Sequence, residues 1–344
     1  MENNIEIECL KNELRSKFVE WQDKNKIIIS NGNKLFMCNK SFTEISLIGE
    51  FPTNIIVKFL TNFFLLRRLL RYYYYNVIPI DNKRIFVTFR KSIGIFENGK
   101  FFHIRGLLKP ARVLRNACAH DKHGGLYFGE YNSNPSREKV NIYYLPPQST
   151  KVEVIYTFVK NTVRHIHGIY KDPFSDTFWV LTGDIKTECK ILKTSDHFNT
   201  LEEVGSGNEN WRAVSMQFSK NYIYFATDAE YSSNYIFEMD RKTYKTKIIS
   251  EIDGPVYYST KIKDQIIFAV TAEGCPSQKE NKAVLWKLDN KNKVSCIKSF
   301  NKDIFPILLM PGTIHFANGI IDDHVYAYGI GLRNLNHTSI KIKL

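Results

Sequence analysis

The chain has 344 residues, 43% of them hydrophobic and 14% aromatic, and it carries a formal net charge of +13. Such a composition supports a large core and excludes global disorder. The positive charge favours an anionic partner, although we interpret much of it as compositional background. Most of the excess is lysine scattered singly, with no basic cluster outside residues 67–75. We therefore expect an acidic glycan as the partner and no nucleic acid.

The cysteines and the N-terminus indicate a reducing compartment. Six cysteines are widely spaced, with no CxxC pattern, so we expect reduced thiols and neither a disulfide framework nor a cysteine zinc site. Residues 1–26 carry charge throughout and lack the apolar core of a signal peptide, and no apolar run has the length of a membrane span. We expect a cytoplasmic protein with a helical or irregular lead at residues 1–24 and one domain at residues 25–344.

Residues 57–76, VKFLTNFFLLRRLLRYYYYN, differ from the rest of the chain. Their apolar residues fall on one helical face, with Arg67, Arg68 and Arg71 nearby. The pattern predicts a short helical insertion. It could pack against its own domain, or make peripheral contact with a membrane surface or a partner.

Internal repeats begin at Arg115, Arg164 and Arg212, with starts roughly 50 residues apart. Each copy contains a strand, a polar turn, an aromatic-rich strand that ends at an acid, a loop and a third strand. Weaker copies begin at Pro255 and Gly312. This period is typical of an all-β protein, a β-propeller with four-stranded blades, and the copies predict about seven of them. An irregular β-sandwich or two stacked β domains remain as alternatives.

In a propeller blade, the start of the first strand and the end of the second meet at one face. Arginines from the repeat starts and acids from the second strands should therefore ring one mouth of the central channel. Such a ring suits an anionic sugar, because guanidinium groups bind carboxylates bidentately and paired carboxyl groups can cleave a glycosidic bond. The alternative is that the charges pair as struts between blades. The residues concerned are Arg115, Arg164, Arg212, Glu130, Asp184, Asp228, Glu230 and Glu273, with Trp211 and Tyr131 to stack on sugar rings.

His165 and His167 alternate along a predicted strand, so both should point to one side. With His120 from the preceding blade they could bind a divalent metal such as zinc or manganese. His315, from a distant blade, could face the same channel. Alternatively, one histidine could be the general base of a β-elimination, with Tyr257 or Tyr258 as the acid. A structural pair of hydrogen-bonded histidines between blades is the third interpretation. The sequence contains neither GxxxxGK[ST] nor GxGxxG, so we expect no nucleotide cofactor.

Residues 194–201, TSDHFNTL, are similar to the Ser/Thr-x-Asp-x-Gly-x-Thr-Trp box of the sialidase-like, Asp-box (BNR-repeat) β-propellers, with Phe198 and Leu201 in place of the glycine and the tryptophan. The longer pattern, covering residues 112–241, resembles bacterial propellers of this type that act on polysaccharides. The resemblance implies a structural turn between third and fourth strands. It also implies three arginines on the substrate carboxylate and a tyrosine–glutamate nucleophile pair with an aspartate acid/base. Arg115, Arg164 and Arg212 could be those arginines, while no motif identifies the pair.

Together these patterns predict a carbohydrate-active propeller, either a glycoside hydrolase or a polysaccharide lyase. The alternative is a non-catalytic propeller that binds glycan or protein as a scaffold in surface-polysaccharide metabolism. No cofactor is required, although a divalent metal could take part. For catalysis we expect His165, His167, Asp184 and Glu130. For substrate binding we expect Arg115, Arg164, Arg212, Trp211, Asp228, Glu230, His120 and Tyr257.

Overall fold

The computed structural model describes residues 5–14 and 16–344, and this part of the chain forms seven antiparallel sheets around a central channel. The strands are β1 (Glu6–Cys9), β2 (Phe18–Gln22), β3 (Lys26–Asn31), β4 (Lys34–Asn39), β5 (Ile45–Glu50), β6 (Tyr74–Pro79), β7 (Arg84–Phe89), β8 (Ser92–Glu97), β9 (Lys100–His103), β10 (Cys118–His120), β11 (Leu126–Gly129), β12 (Val140–Leu145), β13 (Glu153–Phe158), β14 (Ile166–Lys171), β15 (Phe178–Thr182), β16 (Lys190–Thr194), β17 (Glu202–Ser206), β18 (Ala213–Phe218), β19 (Tyr222–Thr227), β20 (Asn234–Asp240), β21 (Thr246–Ile252), β22 (Val256–Ile262), β23 (Gln265–Val270), β24 (Lys282–Leu288), β25 (Val294–Asn301), β26 (Thr313–Phe316), β27 (Asn318–Gly319), β28 (His324–Ile330) and β29 (Thr338–Lys343). The helices are α1 (Ile55–Leu60) and α2 (Phe64–Leu69), with single 3-10 turns at Lys186–Glu188 and Glu209–Trp211.

The sheets are the blades of a seven-bladed β-propeller, which confirms the predicted fold class. Blades 1 to 6 are the consecutive strand sets β2–β5, β6–β9, β10–β13, β14–β17, β18–β21 and β22–β25. Blade 7 combines β26, β28 and β29 with the N-terminal strand β1, and the short strand β27 pairs in parallel with β2 of blade 1.

Burial explains why the sequence pattern differs between strands of one blade. The second strands β7, β11 and β15 are buried at every residue, and they are nearly continuous apolar runs. The outermost strands β13, β17 and β21 are mostly exposed or half-buried, and they contain more polar residues. Blades pack face to face through apolar clusters, such as Leu181 of blade 4 with Met216 and Phe225 of blade 5. A sheet buried on both faces requires such continuous apolar strands.

The N-terminal segment closes the ring. Glu6 pairs with Lys343 and Cys9 with Ile340, so β1 covers the edge of β29. The structure therefore differs from the helical or irregular lead that we expected at residues 1–24, since β1 and β2 both belong to blades; residues 1–4 and 15 lie outside the described part. The physical reason is that β26, β28 and β29 supply only three strands of blade 7, and β1 completes the blade by pairing with β29.

The insertion between blades 1 and 2 contains two short helices, and not one helix over residues 57–76. Arg68 of α2 is buried and ion-paired with Asp303, which ties the insertion to the loop before blade 7. Several apolar side chains of the insertion, including Ile55 and Phe59, are exposed. No helix in the described residues is long and apolar enough to cross a membrane. Contact with a membrane surface stays a prediction.

Candidate functional site

A cavity of about 300 Å³ lies at the mouth of the channel where the first strands of the blades begin. Ile166 pairs with Thr182 in blade 4, and Ala213 pairs with Thr227 in blade 5. Residues just before the first strand and just after the second therefore meet at this mouth. The polar lining residues are Arg71, Tyr75, Arg112, Tyr131, His167, Asp184, Arg212, Asp228, Tyr257, Tyr258, Glu273, Thr313 and His315.

An irregularity in the first strands directs side chains into the channel. In blades 2, 4 and 6 the strand register shifts by one residue near this end, and Tyr75, His167 and Tyr257 are the extra residues. A β-bulge of this kind re-aims a side chain, and bulges are common beside active sites. All three extra residues line the cavity.

His165 and His167 point to the same side of blade 4 and meet Asp184 there. Their Nε2 atoms are 3.2 Å apart, and Asp184 Oδ1 is 3.2 Å from His165 Nε2 and 3.4 Å from His167 Nε2. The ligand atoms of the three side chains lie within 4.8 Å of one another. They could hold a metal ion, and no second group of this kind exists among the described residues.

Asp184 is held as a carboxylate. Burial by itself would raise the pKa of Asp184, but the adjacent rings of His165 and His167 outweigh burial, so the pKa lies well below the usual value. Arg164 Nη1 donates to Asp184 Oδ2 at 2.7 Å, and Arg212 Nη1 donates to the Asp184 backbone carbonyl at 3.0 Å. A carboxyl group with such a low pKa is a poor general acid but a good ligand for a cation.

Arg212 joins this cluster to two further acids, Asp228 and Glu273. Its Nε donates to Asp228 Oδ2 at 3.1 Å. Burial raises the pKa of Asp228 well above its ordinary value, although Arg212 partly opposes the shift. Tyr257 Oη donates to Glu273 Oε1, and burial raises the pKa of Glu273 in spite of that hydrogen bond. The cavity thus combines a carboxyl group whose pKa is raised by burial with a tyrosine hydroxyl paired to a glutamate.

Arg71 and Arg112 are candidate residues that the sequence reasoning missed. Both line the cavity together with Arg212, yet neither forms an ion pair within the described part of the chain. The buried Nε of Arg112 has no hydrogen-bond partner there, and neither do Tyr75 Oη and Asp228 Oδ1. Unpartnered buried polar atoms are destabilising, so a ligand that supplies partners would remove that cost. No signal singled out Arg112, because the repeat alignment assigned its position to Arg115.

Arg115 and Glu130 do not lie in the cavity. Arg115 is 2% exposed, and its Nη1 donates to Glu20 Oε2 at 2.6 Å while its Nε donates to the Phe316 carbonyl at 2.7 Å. This residue is a strut that links blade 3 to blades 1 and 7, which is the alternative interpretation of the repeated charges. Glu130 is 1% exposed, and its carboxylate accepts hydrogen bonds from the side chains of Tyr143 and Asn141 within blade 3. Glu130 therefore has no path to a sugar in the cavity.

His120 is also separated from the site. It pairs with Leu126 at the hairpin end of β10, away from the mouth. The structure thus places Asp184, and not His120, beside His165 and His167.

The remaining predicted residues divide between the blade interior and the cavity. Trp211 packs on Phe225 between blades, so its ring does not face the cavity. Glu230 lies 3.8 Å from Arg212 and is half-buried. His315 lines the cavity, and burial holds its pKa well below the usual value.

The Asp-box-like segment forms the turn between β16 and β17. Asp196 accepts hydrogen bonds from the hydroxyl groups of Thr200 and Thr194, each at 2.7 Å. These bonds hold the pKa of Asp196 at about 2. The segment lies between third and fourth strands, as the resemblance implies, and does not reach the cavity.

Comparison with known proteins identifies the fold only. No family model and no curated protein match the chain. An oligogalacturonate lyase in complex with manganese matches with a TM-score of 0.59 and 8% identity, over 99% of this chain and 90% of the lyase. A chain of the mitotic checkpoint complex matches with a TM-score of 0.58 and 9% identity, over 98% of this chain and 93% of the checkpoint chain. An extracellular domain assigned to a one-component system of B. thetaiotaomicron matches with a TM-score of 0.58 and 12% identity. The match covers 100% of this chain but only 40% of the B. thetaiotaomicron chain. No family match supports the sialidase-like resemblance.

Proposed function

We propose that the protein binds the carboxylate-bearing sugar of an acidic glycan in this cavity and hydrolyses the adjacent glycosidic bond. The observation that carries the proposal is the convergence of Arg71, Arg112 and Arg212 on one cavity that also contains the Tyr257–Glu273 pair. Arginine is always charged and binds carboxylates in a fixed, bidentate geometry. A volume of about 300 Å³ is at the lower limit for small-molecule sites and suits one sugar residue.

The chemistry assigns separate roles to the acids. Asp228 retains its proton and protonates the leaving oxygen of the glycosidic bond. Tyr257 attacks the anomeric carbon while Glu273 takes the phenolic proton, and water then hydrolyses the glycosyl-tyrosine. Three arginines, a tyrosine–glutamate pair and an aspartate are the residue types that the sialidase-like resemblance implies, although two of the arginines differ from those predicted.

β-Elimination is the second candidate. It is favoured by the cluster of His165, His167 and Asp184 at the edge of the same cavity, and an oligogalacturonate lyase shares the fold. In this alternative the arginines hold a uronate carboxylate while a base removes the neighbouring proton.

The test is to incubate the purified chain with sialylated and uronate-containing glycans, with and without divalent metals. New reducing ends and the ultraviolet absorbance of unsaturated products are followed together. We expect reducing ends without absorbance. Reducing ends with absorbance would replace hydrolysis by elimination. If neither product forms but an acidic glycan binds, the chain is a binding module, and the hydrolytic proposal fails.

A further inference from the structure

We propose that His165, His167 and Asp184 form a binding site for a divalent transition-metal ion at the edge of the cavity. The proposal goes beyond glycan cleavage, because none of the proposed catalytic steps uses these three side chains. It replaces the histidine set considered from the sequence, in which His120 was the third ligand.

Hydrogen bonding determines which ring nitrogens carry protons. His165 Nδ1 lies 2.9 Å from the Asn132 carbonyl oxygen, and His167 Nδ1 lies 2.8 Å from the Ala213 carbonyl oxygen. A carbonyl oxygen only accepts, so each Nδ1 must carry a proton. In the neutral imidazole the Nε2 atom is then an unprotonated acceptor.

With both rings neutral, three electron-pair donors therefore converge without a proton between them. The Nε2 atoms of His165 and His167 are 3.2 Å apart, and Asp184 Oδ1 is within 3.4 Å of both. Lone pairs at this separation repel one another unless a cation lies among them. Both rings are at most 5% exposed, so little water competes for the space between the three side chains. Two imidazoles and a carboxylate are a common ligand set for first-row divalent metals with open positions.

The surroundings also match those of a metal site. Ligating histidines usually donate their second nitrogen to a carbonyl, and ligating carboxylates are themselves hydrogen-bonded. Both histidines fulfil the first condition, and Arg164 Nη1, which donates to Asp184 Oδ2 at 2.7 Å, fulfils the second. Arg212 adds positive charge, but Glu209 and Glu230 lie within 3.8 Å of its guanidinium group and offset it.

The open side of the cluster faces the cavity, because His167 and Asp184 both line it. An ion held there would keep positions for water or for an anionic ligand. The identity of this anionic ligand rests on the proposed function, in which it is the sugar carboxylate beside Arg212.

The experiment measures metal binding without reference to activity. The full chain is stripped with a chelator and titrated with Co²⁺, whose visible absorption reports nitrogen and oxygen coordination, and Zn²⁺ is then added as a competitor. We expect one equivalent of Co²⁺ to bind and Zn²⁺ to displace it. Asp184→Asn and His165→Gln should each weaken binding at least about tenfold, since loss of even an outer partner has an effect of this size.

Controls separate a lost ligand from a lost fold. His120→Gln should bind Co²⁺ as the wild type does. If the buried variants unfold, Arg164→Met, which removes the hydrogen bonds to Asp184 and to the Ser133 carbonyl and leaves the three ligands in place, should still weaken binding. If the wild-type chain binds neither ion, the metal site is overturned and a shared proton holds the three side chains together instead. Equal Co²⁺ binding by Asp184→Asn and the wild type would also overturn the site. Glycan cleavage without metal binding would contradict this site alone, whereas metal binding without any cleavage would contradict only the proposed function.

Discussion

Arg112 and Arg212 occupy equivalent positions in blades 3 and 5. The carbonyl oxygen of each accepts a hydrogen bond from a backbone N–H just beyond the second strand: Tyr131 N, two residues after β11, at 2.9 Å for Arg112, and Asp228 N, directly after β19, at 2.7 Å for Arg212. In blade 5 the residue that donates this hydrogen bond is an acid that pairs with the arginine. In blade 3 it is a tyrosine, so the Arg112 guanidinium group has no paired charge among the described residues. The same backbone position thus holds an arginine paired with an acid in blade 5, and an arginine that is available for a ligand in blade 3.

Replacing Arg112 should weaken ligand binding without weakening the fold. We expect Arg112→Met to raise the KM or Kd for an acidic glycan about 10- to 100-fold, the range for a hydrogen bond to a charged group. Because the Nε of Arg112 is buried without a partner, the melting temperature should stay the same or rise. Titration calorimetry and thermal unfolding measure the two effects. Arg105→Met, at an exposed arginine outside the cavity, is the matched control. Unchanged affinity would remove Arg112 from the site.

Tyr257 and Glu273 should act as one catalytic unit. We expect Tyr257→Phe and Glu273→Gln each to lower kcat at least about 100-fold while glycan binding and folding persist. The double variant should lose no more than either single variant, because residues that act together are not additive. Steady-state kinetics measure this, with Tyr222→Phe at an exposed tyrosine as the control. Multiplicative losses would mean that the two residues act in separate steps.

The Arg115–Glu20 pair should stabilise the ring of blades and take no part in binding. Arg115→Met leaves the Glu20 carboxylate buried without its cation, so we expect the free energy of unfolding to fall by about 3–5 kcal/mol. Urea denaturation measures this loss, and Glu20→Met in the same chain should restore part of it. If instead Arg115→Met keeps full stability and loses glycan affinity, Arg115 belongs to the binding site as the sequence suggested.

Stability should fall in mild acid because of His337. Its Nε2 lies 2.9 Å from Tyr73 Oη, and burial, with the charges of Arg67 and Arg68, lowers its pKa to about 3, while Asp303 partly opposes the shift. An unfolded histidine titrates near about 6.5, so the unfolded state binds the extra proton first. This contribution is complete above that pH and is lost as the pH falls towards about 3.

The measurement is the urea midpoint as a function of pH, for the wild type and for His337→Asn. Asparagine tolerates the positive φ of 54° at this position. The variant should have a flatter profile between about pH 4 and pH 6.5. Identical slopes for the two chains would exclude His337 as the cause.

The sequence by itself determined the architecture and the meeting of strand ends. Runs of β-branched and aromatic residues, separated by polar turns at a regular interval, favour a core formed by blades stacked around an axis over a β-sandwich. The same regularity predicted that residues flanking the strands, such as Arg164 with Asp184 and Arg212 with Asp228, lie together.

Only the tertiary structure decided which charged side chains face the cavity and which are struts. Arg115 stands three residues after Arg112, and that difference turns one side chain into the interior and the other towards the mouth. The partner of Arg115, Glu20, lies 95 residues away in another blade, and a local repeat contains no information about such a distant contact. The bulges that direct Tyr75, His167 and Tyr257 into the channel are likewise a product of strand pairing, because register is fixed between strands and not within one.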